Sequence, residues 1–538
     1  MAQPSSSIED IDHKQLAALI GRVEEAIEHG LALSSDDLLL LLNAIQTLAT
    51  VQEKLESKDV TLLKLKKLLG MVTSSEKRNR NAGSNRSNKK GASPRKPRTK
   101  QPATREERHM HDSMKKGDPC PELGCEKGKI YPTRPKTFIR VSAHAPYEAT
   151  KHLLETLRCN LCGTEFTAKP SDAVLKDGDV NQEYGYSARS LMSINKFFSG
   201  QGYHHQDNLS DLMGHRISAS TNFDQCEHLS NDVMPVFYQL MKEAAHANLL
   251  LGDDTSHRIL NQEPEERPNR NGKGKRLRTG IYSSCLIAKT EQDNEIVLFE
   301  TSLGHLGEFI DKIMRYRPPE YSPPQLMSDA LSSNNSTIVD LIKALCNSHS
   351  RRQFADIEDR YPEVSSILDL YGKVWENDGD TKDKSMTDHE RLQYHKENSL
   401  PIMKAIKDWC ELRINSAEFE ENGALASAIK YFNKHYEGLT QFCKIPGAPI
   451  DNNRTEETLK IVIRGRKSYS FFKTANGAGV ANVITSLIAT AWRTDINVYR
   501  YLTDLQRYKD LVKSNPEKWV PYRYENTLKD MNEIKEAA

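Results

Sequence analysis

The chain has 538 residues, and its 75 Lys and Arg residues almost balance 74 Asp and Glu residues to leave a net charge of +1. This length allows three or four domains, and the balance excludes a uniformly basic particle. Since no apolar run approaches the roughly 18 residues that span a bilayer, and the N-terminus lacks the pattern of a signal peptide, we expect neither a membrane protein nor a secreted one.

The first predicted element is a long helix. Ser34, Ser35 and Asp36 are residues that favour a helix N-terminus, and they precede a helical pattern over residues 38–69. Two interpretations remain open: a dimeric coiled coil, and a helix that packs within its own domain. Leucines recur there every seven residues, at Leu41, Leu48, Leu55, Leu62 and Leu69. The companion seam positions are apolar in the first half, at Leu38 and Ile45, and polar in the second half, at Gln52, Asp59 and Lys66.

A basic stretch follows the helix. Residues 77–108 contain twelve Lys or Arg and two Glu, and they are too polar to bury a core. The stretch is either a solubilising linker or localisation tail, or a flexible arm whose cations neutralise nucleic-acid phosphates. In the second interpretation Lys89, Lys90, Arg95 and Lys96 contact DNA.

Two cysteine pairs come next, Cys120 with Cys125 and Cys159 with Cys162. Nine cysteines are too few for a disulfide scaffold in a chain of this length, and close pairs are typical of a metal site in a reducing cytosol. Four thiolates fill the tetrahedral shell of zinc, so the sequence predicts a structural zinc ribbon without an open catalytic position. The alternative is four unrelated buried thiols.

The pattern then changes to alternating strands and helices. A short apolar run at 248–252 ends in Asp253, strand patterns follow at 279–288 and 295–302, and a helical pattern covers 309–315. Another short strand, at 325–328, ends in Asp329. Acidic side chains at the carboxyl ends of neighbouring strands face the crevice of such a sheet, where hard oxygen ligands can share divalent cations.

A third acid lies far downstream, on a helix that we expect to begin at Asp451 and to end near residue 464. Glu456, Leu459 and Ile463 share the face that would pack on the sheet, whereas Glu457 falls on a charged stripe. Each acid alone would fit an ordinary surface carboxylate. Together, two strand-end aspartates and Glu456 could hold a metal pair about 3.5–4 Å apart, suited to displacement at phosphorus.

Four motifs are similar to those of one known family: Gly252-Asp253-Asp254-Thr255, Ser328-Asp329, Cys346-x-x-His349-x-Arg351-Arg352-x-Phe354, and Asp451-Asn452-Asn453 with Glu456. On these motifs the chain resembles the insertion-sequence-66 family of bacterial DDE transposases. It departs from the family pattern at Asp254, where Glu is usual, at Glu457, where Arg is usual, and after Asp329, where a Gly-Tyr type of turn is usual.

The resemblance implies a multidomain α/β protein with an RNase H-like core, a mixed sheet flanked by helices. Catalytic Mg²⁺ or Mn²⁺ would be held by Asp253, Asp329 and Glu456, and structural Zn²⁺ by the cysteines. The implied reaction is DNA strand cleavage at element ends and strand transfer into target DNA. The implied partners are terminal inverted repeats, target DNA, a second copy of the chain and accessory proteins of the same element, in the bacterial cytoplasm at the nucleoid.

Basic residues beside the motifs are candidates for contacts with DNA phosphates. For those that follow Cys346, a solvated helix surface with a packed His fits equally well. The candidates are His349, Arg351 and Arg352, and Arg464, Arg466 and Lys467 on the helix of Glu456.

The predicted organisation has eight parts: a helical, zipper-like region (1–75), a basic arm (76–112), a zinc-binding domain (113–175), a helical bridge (176–245), a first core part (246–345), a helical insertion (346–450), the catalytic helix of the core (451–475) and a C-terminal helical region (476–538). Two other functions remain open. One is a transposase-derived DNA-binding regulator without catalysis, and the other is an RNase H-like nuclease without strand transfer.

Overall fold

The computed structural model describes parts of residues 19–41, then residues 116–119, 129, 146–158, 165–268, 274–415 and 422–537. The chain divides into two compact units, 1–99 and 100–538. Several predictions lie outside the described residues: the coiled coil beyond residue 41, the basic arm with Lys89, Lys90, Arg95 and Lys96, and the zinc ligands Cys120, Cys125, Cys159 and Cys162.

Within the first unit, a helical segment covers residues 35–41. Ser34 accepts a hydrogen bond from the backbone N–H of Asp37 at 3.1 Å, so it caps the segment as its sequence position predicts. Arg22 forms an ion pair with Asp37 at 2.7 Å.

The second unit begins with a small hairpin and a helical region. Ser218 caps the long helix by accepting the backbone N–H of Thr221, and most of the apolar residues of that helix are buried. The stretch 176–245, predicted as a helical bridge, is therefore helical over most of its length. The elements are β1 (Thr156–Arg158), β2 (Glu165–Thr167), α1 (Asp172–Leu175), α2 (Tyr186–Phe197), α3 (Tyr203–Leu212) and α4 (Ala219–Ala245).

A five-stranded mixed sheet with flanking helices follows, in the strand order β7-β6-β3-β8-β9. Strand β6 pairs antiparallel with β3 and β7, whereas β8 lies parallel to both β3 and β9. The elements are β3 (Leu249–His257), the separate hairpin β4 (Glu265–Pro268) and β5 (Lys275–Arg278), β6 (Ile281–Lys289), β7 (Glu295–Ser302), α5 (Leu306–Met314), β8 (Gln325–Ser328) and β9 (Ile342–Leu345). The predicted strands and the predicted helix after them are confirmed.

Both faces of this sheet are covered. Along β3, Leu250 packs into the cluster that includes α4 and α5, whereas Leu251 packs into a second cluster with Leu459. Leu286 and Ile287 of β6 alternate in the same way. Because successive side chains of a strand point to opposite faces, near-continuous apolar runs are what a doubly covered sheet requires.

A helical insertion separates β9 from the last part of the core, and it has its own buried cluster around Phe354, Tyr371 and Phe432. Its two ends are tied together because Asn347 donates backbone and side-chain hydrogen bonds to the carbonyl of Ile450. The helical character predicted for residues 346–450 is confirmed in the described residues. The helices are α6 (Asn347–Ala355), α7 (Ser365–Asp383), α8 (Asp388–Asn398), α9 (Leu400–Ile414) and α10 (Ala424–Leu439).

The final region is helical, and its first helix differs in extent from the prediction. The cap of that helix is Asn452 and not Asp451, and the helix runs five residues beyond 464. Asp451 instead accepts hydrogen bonds from the backbone of Asn453 and from the indole of Trp375. The helices are α11 (Asn453–Tyr469), α12 (Ala475–Arg493), α13 (Val498–Arg507), α14 (Lys509–Ser514) and α15 (Pro521–Ala537).

Helix α12 covers the outer edge of the sheet. Three of its side chains accept hydrogen bonds from backbone N–H groups of β7, at 3.0 Å for Thr490, 2.8 Å for Ser486 and 2.9 Å for Asn482. These bonds satisfy donors that an edge strand would otherwise expose to another chain. In the described part of the protein, no helix combines the length and the apolar character needed to cross a membrane.

Candidate active site

Two of the predicted acids lie where the parallel pairing of β3 and β8 ends. Leu251 of β3 pairs with Met327 of β8, and Asp253 and Asp329 each follow two residues later. Asp329 directly follows β8 as predicted, but Asp253 lies in the middle of β3 and not at its end, because β3 continues beside β6. The register nevertheless carries both carboxylates to the same side of the end of the parallel pairing. Burial, followed by the negative charge of Asp329, raises the pKa of Asp253 to about 7.

The adjacent aspartate has a different environment. Asp254 accepts hydrogen bonds from His305 Nδ1 at 3.0 Å and from the backbone N–H of Leu306 at 3.3 Å. These donors lie at the start of α5, where a carboxylate is favoured by the helix dipole. Gly252 admits the close approach of α5, since a Cβ there would lie 2.6 Å from a methyl group of Leu306. Asp254 thus anchors α5, on the face of β3 opposite to Asp253.

Asp329 is oriented by the loop that follows β8. Its Oδ1 accepts hydrogen bonds from the backbone N–H of Leu331 at 3.2 Å and from the side-chain amide of Asn334. Tyr431 on α10 of the insertion lies near Asp329. Burial and then the negative charge of Asp329 raise the pKa of the Tyr431 hydroxyl to about 12. A turn therefore follows Asp329, although the residues that form it differ from the family pattern.

The third acid is brought to the sheet by the start of α11. Asn452 donates its side-chain N–H to the carbonyl of Gly252 at 2.9 Å, next to Asp253. Glu456 lies one turn later, and its charge contributes to the raised pKa of Asp253. Its Oε1 atom is buried and has no hydrogen-bond partner among the described residues. Glu457 is exposed, as the helical-face argument predicts.

The Cys-x-x-His motif forms the start of α6 and contacts the same glutamate. His349 Nε2 lies 3.8 Å from Glu456 Oε1, and Arg352 Nη2 lies 3.9 Å from Glu456 Oε2. Arg351 is exposed. Cys346 is buried, and its Sγ accepts the backbone N–H of Asn452 at 3.2 Å. His349 and Arg352 were predicted as phosphate contacts, and the structure places them beside a carboxylate.

Metal-ligand atoms converge at this motif. Within the described ranges, only Cys346, His349 and Glu456 form a set of three or more His, Cys, Asp or Glu residues whose ligand atoms all lie within 4.8 Å of one another. The oxygens of Asp253, Asp329 and Glu456 are near one another without meeting that distance. Sequence reasoning missed Cys346 as a candidate ligand, although the spacing of Cys346 and His349 was the available signal.

The basic candidates on α11 divide into two kinds. Arg464 and Lys467 are exposed, and the guanidinium of Arg464 lies 5.6 Å from the ring of Phe198. Arg466 instead donates hydrogen bonds to Thr255 and Ser256 at the end of β3. It connects α11, the helix that carries Glu456, to the central strand β3. This contact was not predicted from the sequence.

Comparisons with known proteins identify the family of the chain. A stretch of 164 residues is 28% identical to the uncharacterized protein y4jD of Sinorhizobium fredii, covering 30% of this chain and 31% of that protein. A longer stretch of 304 residues is 24% identical to the uncharacterized protein y4hP of the same organism, covering 54% of this chain and 53% of that protein. The chain therefore matches about half or less of the length of these relatives. The family model described as "Transposase IS66 family" matches residues 183–480, more than half of the chain, so the chain belongs to the IS66 transposase family.

Proposed function

We propose that this protein is a DDE transposase that cleaves DNA at the ends of a mobile element and transfers the strands into target DNA. The observation that carries the proposal is the register of β3 and β8. It sets Asp253 and Asp329 side by side, while Asn452 fixes the start of α11 so that Glu456 faces them. Family membership supports the same function.

The sheet supports an RNase H-like identity for the core. The antiparallel strands β7, β6 and β3 are consecutive neighbours, and β8 and β9 add in parallel on the other side. Asp253 lies in the middle of the central strand β3, just past its parallel pairing with β8, and Asp329 directly follows β8. The carboxyl edge of parallel strands, at the point where strand direction changes within a sheet, is where α/β folds place their ligands.

The carboxylates fit a divalent cation. Asp253 retains its proton to about pH 7 because it is buried near other negative charges, and Glu456 has an oxygen without a partner among the described residues. Hard oxygen ligands of this kind select Mg²⁺ or Mn²⁺ over softer ions. When bound, such ions supply Lewis acidity and stabilise charge on the attacking and leaving oxygens of phosphoryl transfer.

The chain's own residues would position these groups and the DNA. His349 and Arg352 hold the Glu456 carboxylate from the side of α6, and Arg466 ties α11 to β3. The exposed Arg464 and Lys467, further along α11, and Arg351 on α6 could contact phosphates of DNA. His349 and Arg352 would reach DNA only by releasing Glu456.

The remaining parts of the proposal rest on sequence. The cysteines Cys120, Cys125, Cys159 and Cys162 would hold a structural Zn²⁺, and Lys89, Lys90, Arg95 and Lys96 would neutralise phosphates. We further propose a homo-oligomer that acts on two DNA ends with accessory proteins of the element, at the nucleoid in the cytoplasm. The eight-part division described above is part of the same proposal.

The test is a cleavage and joining assay with DNA that carries the inverted repeats of the element. We expect nicks at the element ends in Mg²⁺ or Mn²⁺, and joined products when target DNA is added. DNA binding without cleavage under either metal would favour the regulator, and cleavage without joining would favour the nuclease.

A further inference from the structure

A second cluster of ligand atoms adjoins the proposed catalytic acids. Cys346 precedes the first residue of α6, His349 follows one turn later, and Glu456 comes from the first turn of α11. Residues three apart lie on one face of a helix, so the Cys-x-x-His spacing presents both groups to Glu456. All three ligand atoms lie within 4.8 Å of one another.

Backbone donors surround the sulfur of Cys346. It accepts the backbone N–H of Asn452 at 3.2 Å and also those of Ser348 and His349 in the first turn of α6. Burial raises the pKa of the Cys346 thiol to about 11, and these donors oppose the rise, so in the absence of an ion the sulfur keeps its proton. The sulfur is buried, whereas the side chains of His349 and Glu456 are 25% and 30% exposed, so solvent reaches two of the three ligand residues.

The spacing is close to that of a formed site. His349 Nε2 and Glu456 Oε1 are 3.8 Å apart, whereas two tetrahedral zinc bonds of about 2.0 Å hold their ligand atoms roughly 3.3 Å apart. Closure by about half an ångström is within the reach of side-chain rotation. The Oε1 atom is buried without a hydrogen-bond partner among the described residues, so it is available as a ligand.

We propose that Cys346, His349 and Glu456 bind a zinc ion, and that this ion holds Glu456 away from Asp253 and Asp329. Thiolate and imidazole ligands favour Zn²⁺, whereas the aspartates favour Mg²⁺, so the two metals compete for the one glutamate. As the sulfur–zinc bond forms, the thiol releases its proton to solvent. The ion is separate from any held by the four paired cysteines, and its inhibitory effect rests on the function proposed above.

Binding is tested on the full chain by zinc content after dialysis and by the absorption of Co²⁺ substituted for Zn²⁺. Cys346→Ser should hold one zinc fewer per chain than wild type and lose the corresponding cobalt–thiolate band. Cys410→Ser is the matched control, because Cys410 is also a buried cysteine but lies in the core of the insertion. It should match wild type in both measurements.

Should Cys346→Ser fail to fold, His349→Gln replaces it, since that side chain is partly exposed. It should bind this zinc on the order of 100-fold more weakly, because one of three protein ligands is lost. Equal zinc content and equal cobalt spectra in wild type and in the folded variant would overturn the site.

Inhibition is tested by the ratio of DNA cleavage in Mg²⁺ with and without added Zn²⁺. Zinc should suppress cleavage by wild type, and the half-inhibiting concentration should rise on the order of 100-fold in Cys346→Ser. Cleavage by wild type that is insensitive to zinc would overturn the inhibitory role. A protein that binds this zinc yet cuts no terminal-repeat DNA would overturn the proposed function, and the inhibition with it, while supporting the site.

Discussion

Two aspartates of this protein, Asp253 and Asp378, have opposite electrostatic environments. Asp253 lies near Asp329 and Glu456, and burial together with their charges raises its pKa to about 7. Asp378, in the helical insertion, contacts Arg391 and Lys382 at 2.6 Å and lies 3.5 Å from His395. Although burial opposes its ionisation, these neighbours hold the pKa of Asp378 well below its usual range.

The difference teaches how to separate a structural carboxylate from a functional one. The charge of Asp378 is compensated by side chains of its own fold, so the site is complete without a ligand. The charge of Asp253 is not compensated in this way, because the charged neighbours that act on it are the acids Asp329, Asp254 and Glu456, which oppose its ionisation until a cation binds. An acid whose ionisation the protein itself disfavours is a candidate for function, because folding alone gives no reason for the arrangement.

The largest expected effect is on catalysis. Asp253→Asn, Asp329→Asn and Glu456→Gln should each lower cleavage by roughly 1,000-fold, since each removes an anionic ligand worth several kcal/mol of charge stabilisation. Rates on terminal-repeat DNA measure the loss, and gel shifts should show retained DNA binding.

Glu457→Gln is the matched control, because its side chain is exposed about 100° round α11 from Glu456. It should keep most of the wild-type rate. An inactive Glu457→Gln with an active Glu456→Gln would contradict the assignment of faces, and an active Asp329→Asn would remove that residue alone from the site.

The next effect is on stability. Asp378→Ala should destabilise the protein by about 3–5 kcal/mol, because it leaves Arg391 and the buried His395 without their counter-charge. Thermal unfolding measures the loss. Asp369→Ala on the exposed side of the same helix should cost no more than about 0.5 kcal/mol. Equal losses in both variants would show that the Asp378 cluster is not a stabilising unit.

The two aspartates should also give opposite pH dependences in metal-free buffer. Asp253 has a raised folded-state pKa, so its contribution to stability is present below about pH 4 and is lost as the pH rises through 7. Asp378 has a lowered pKa, so its contribution is present above about pH 4 and is lost as the pH falls further.

Asp253→Asn should therefore raise the melting temperature by a few °C relative to wild type at pH 8, and by less at pH 5. Melting curves at the two pH values make the comparison. A variant that shifts the melting temperature equally at both would show that Asp253 is not protonated in the folded apoprotein.

The sequence predicted the proximity of Asp253, Asp329 and Glu456 and missed the cluster around Asp378. Asp253 and Asp329 end apolar runs, and Glu456 lies on the apolar face of α11, so local patterns were sufficient. Asp378, Arg391 and His395 come from two helices whose charges read as ordinary solvated faces, and only tertiary packing brings them together. The contact of Asn347 with Ile450, across 103 positions, was likewise out of reach of local patterns. Asp451 was wrongly predicted as the cap, which is Asn452, and its contact with Trp375 of the insertion was also out of reach.

The smallest expected effect sharpens the comparison within a single strand. Asp254 is adjacent to Asp253, and it accepts hydrogen bonds from His305 and from the backbone at the start of α5. Asp254→Ala should cost about 1 kcal/mol, as for the loss of a helix cap, and should leave Mg²⁺-dependent cleavage within about tenfold of wild type. The reason is that successive side chains of β3 face opposite sides of the sheet. Asp254 therefore has its partners within the fold, as Asp378 does, although it lies next to Asp253 in sequence. Unfolding and cleavage measured on the same preparation separate the two effects. A loss of cleavage as large as that of Asp253→Asn, without a loss of stability, would place Asp254 among the functional acids instead.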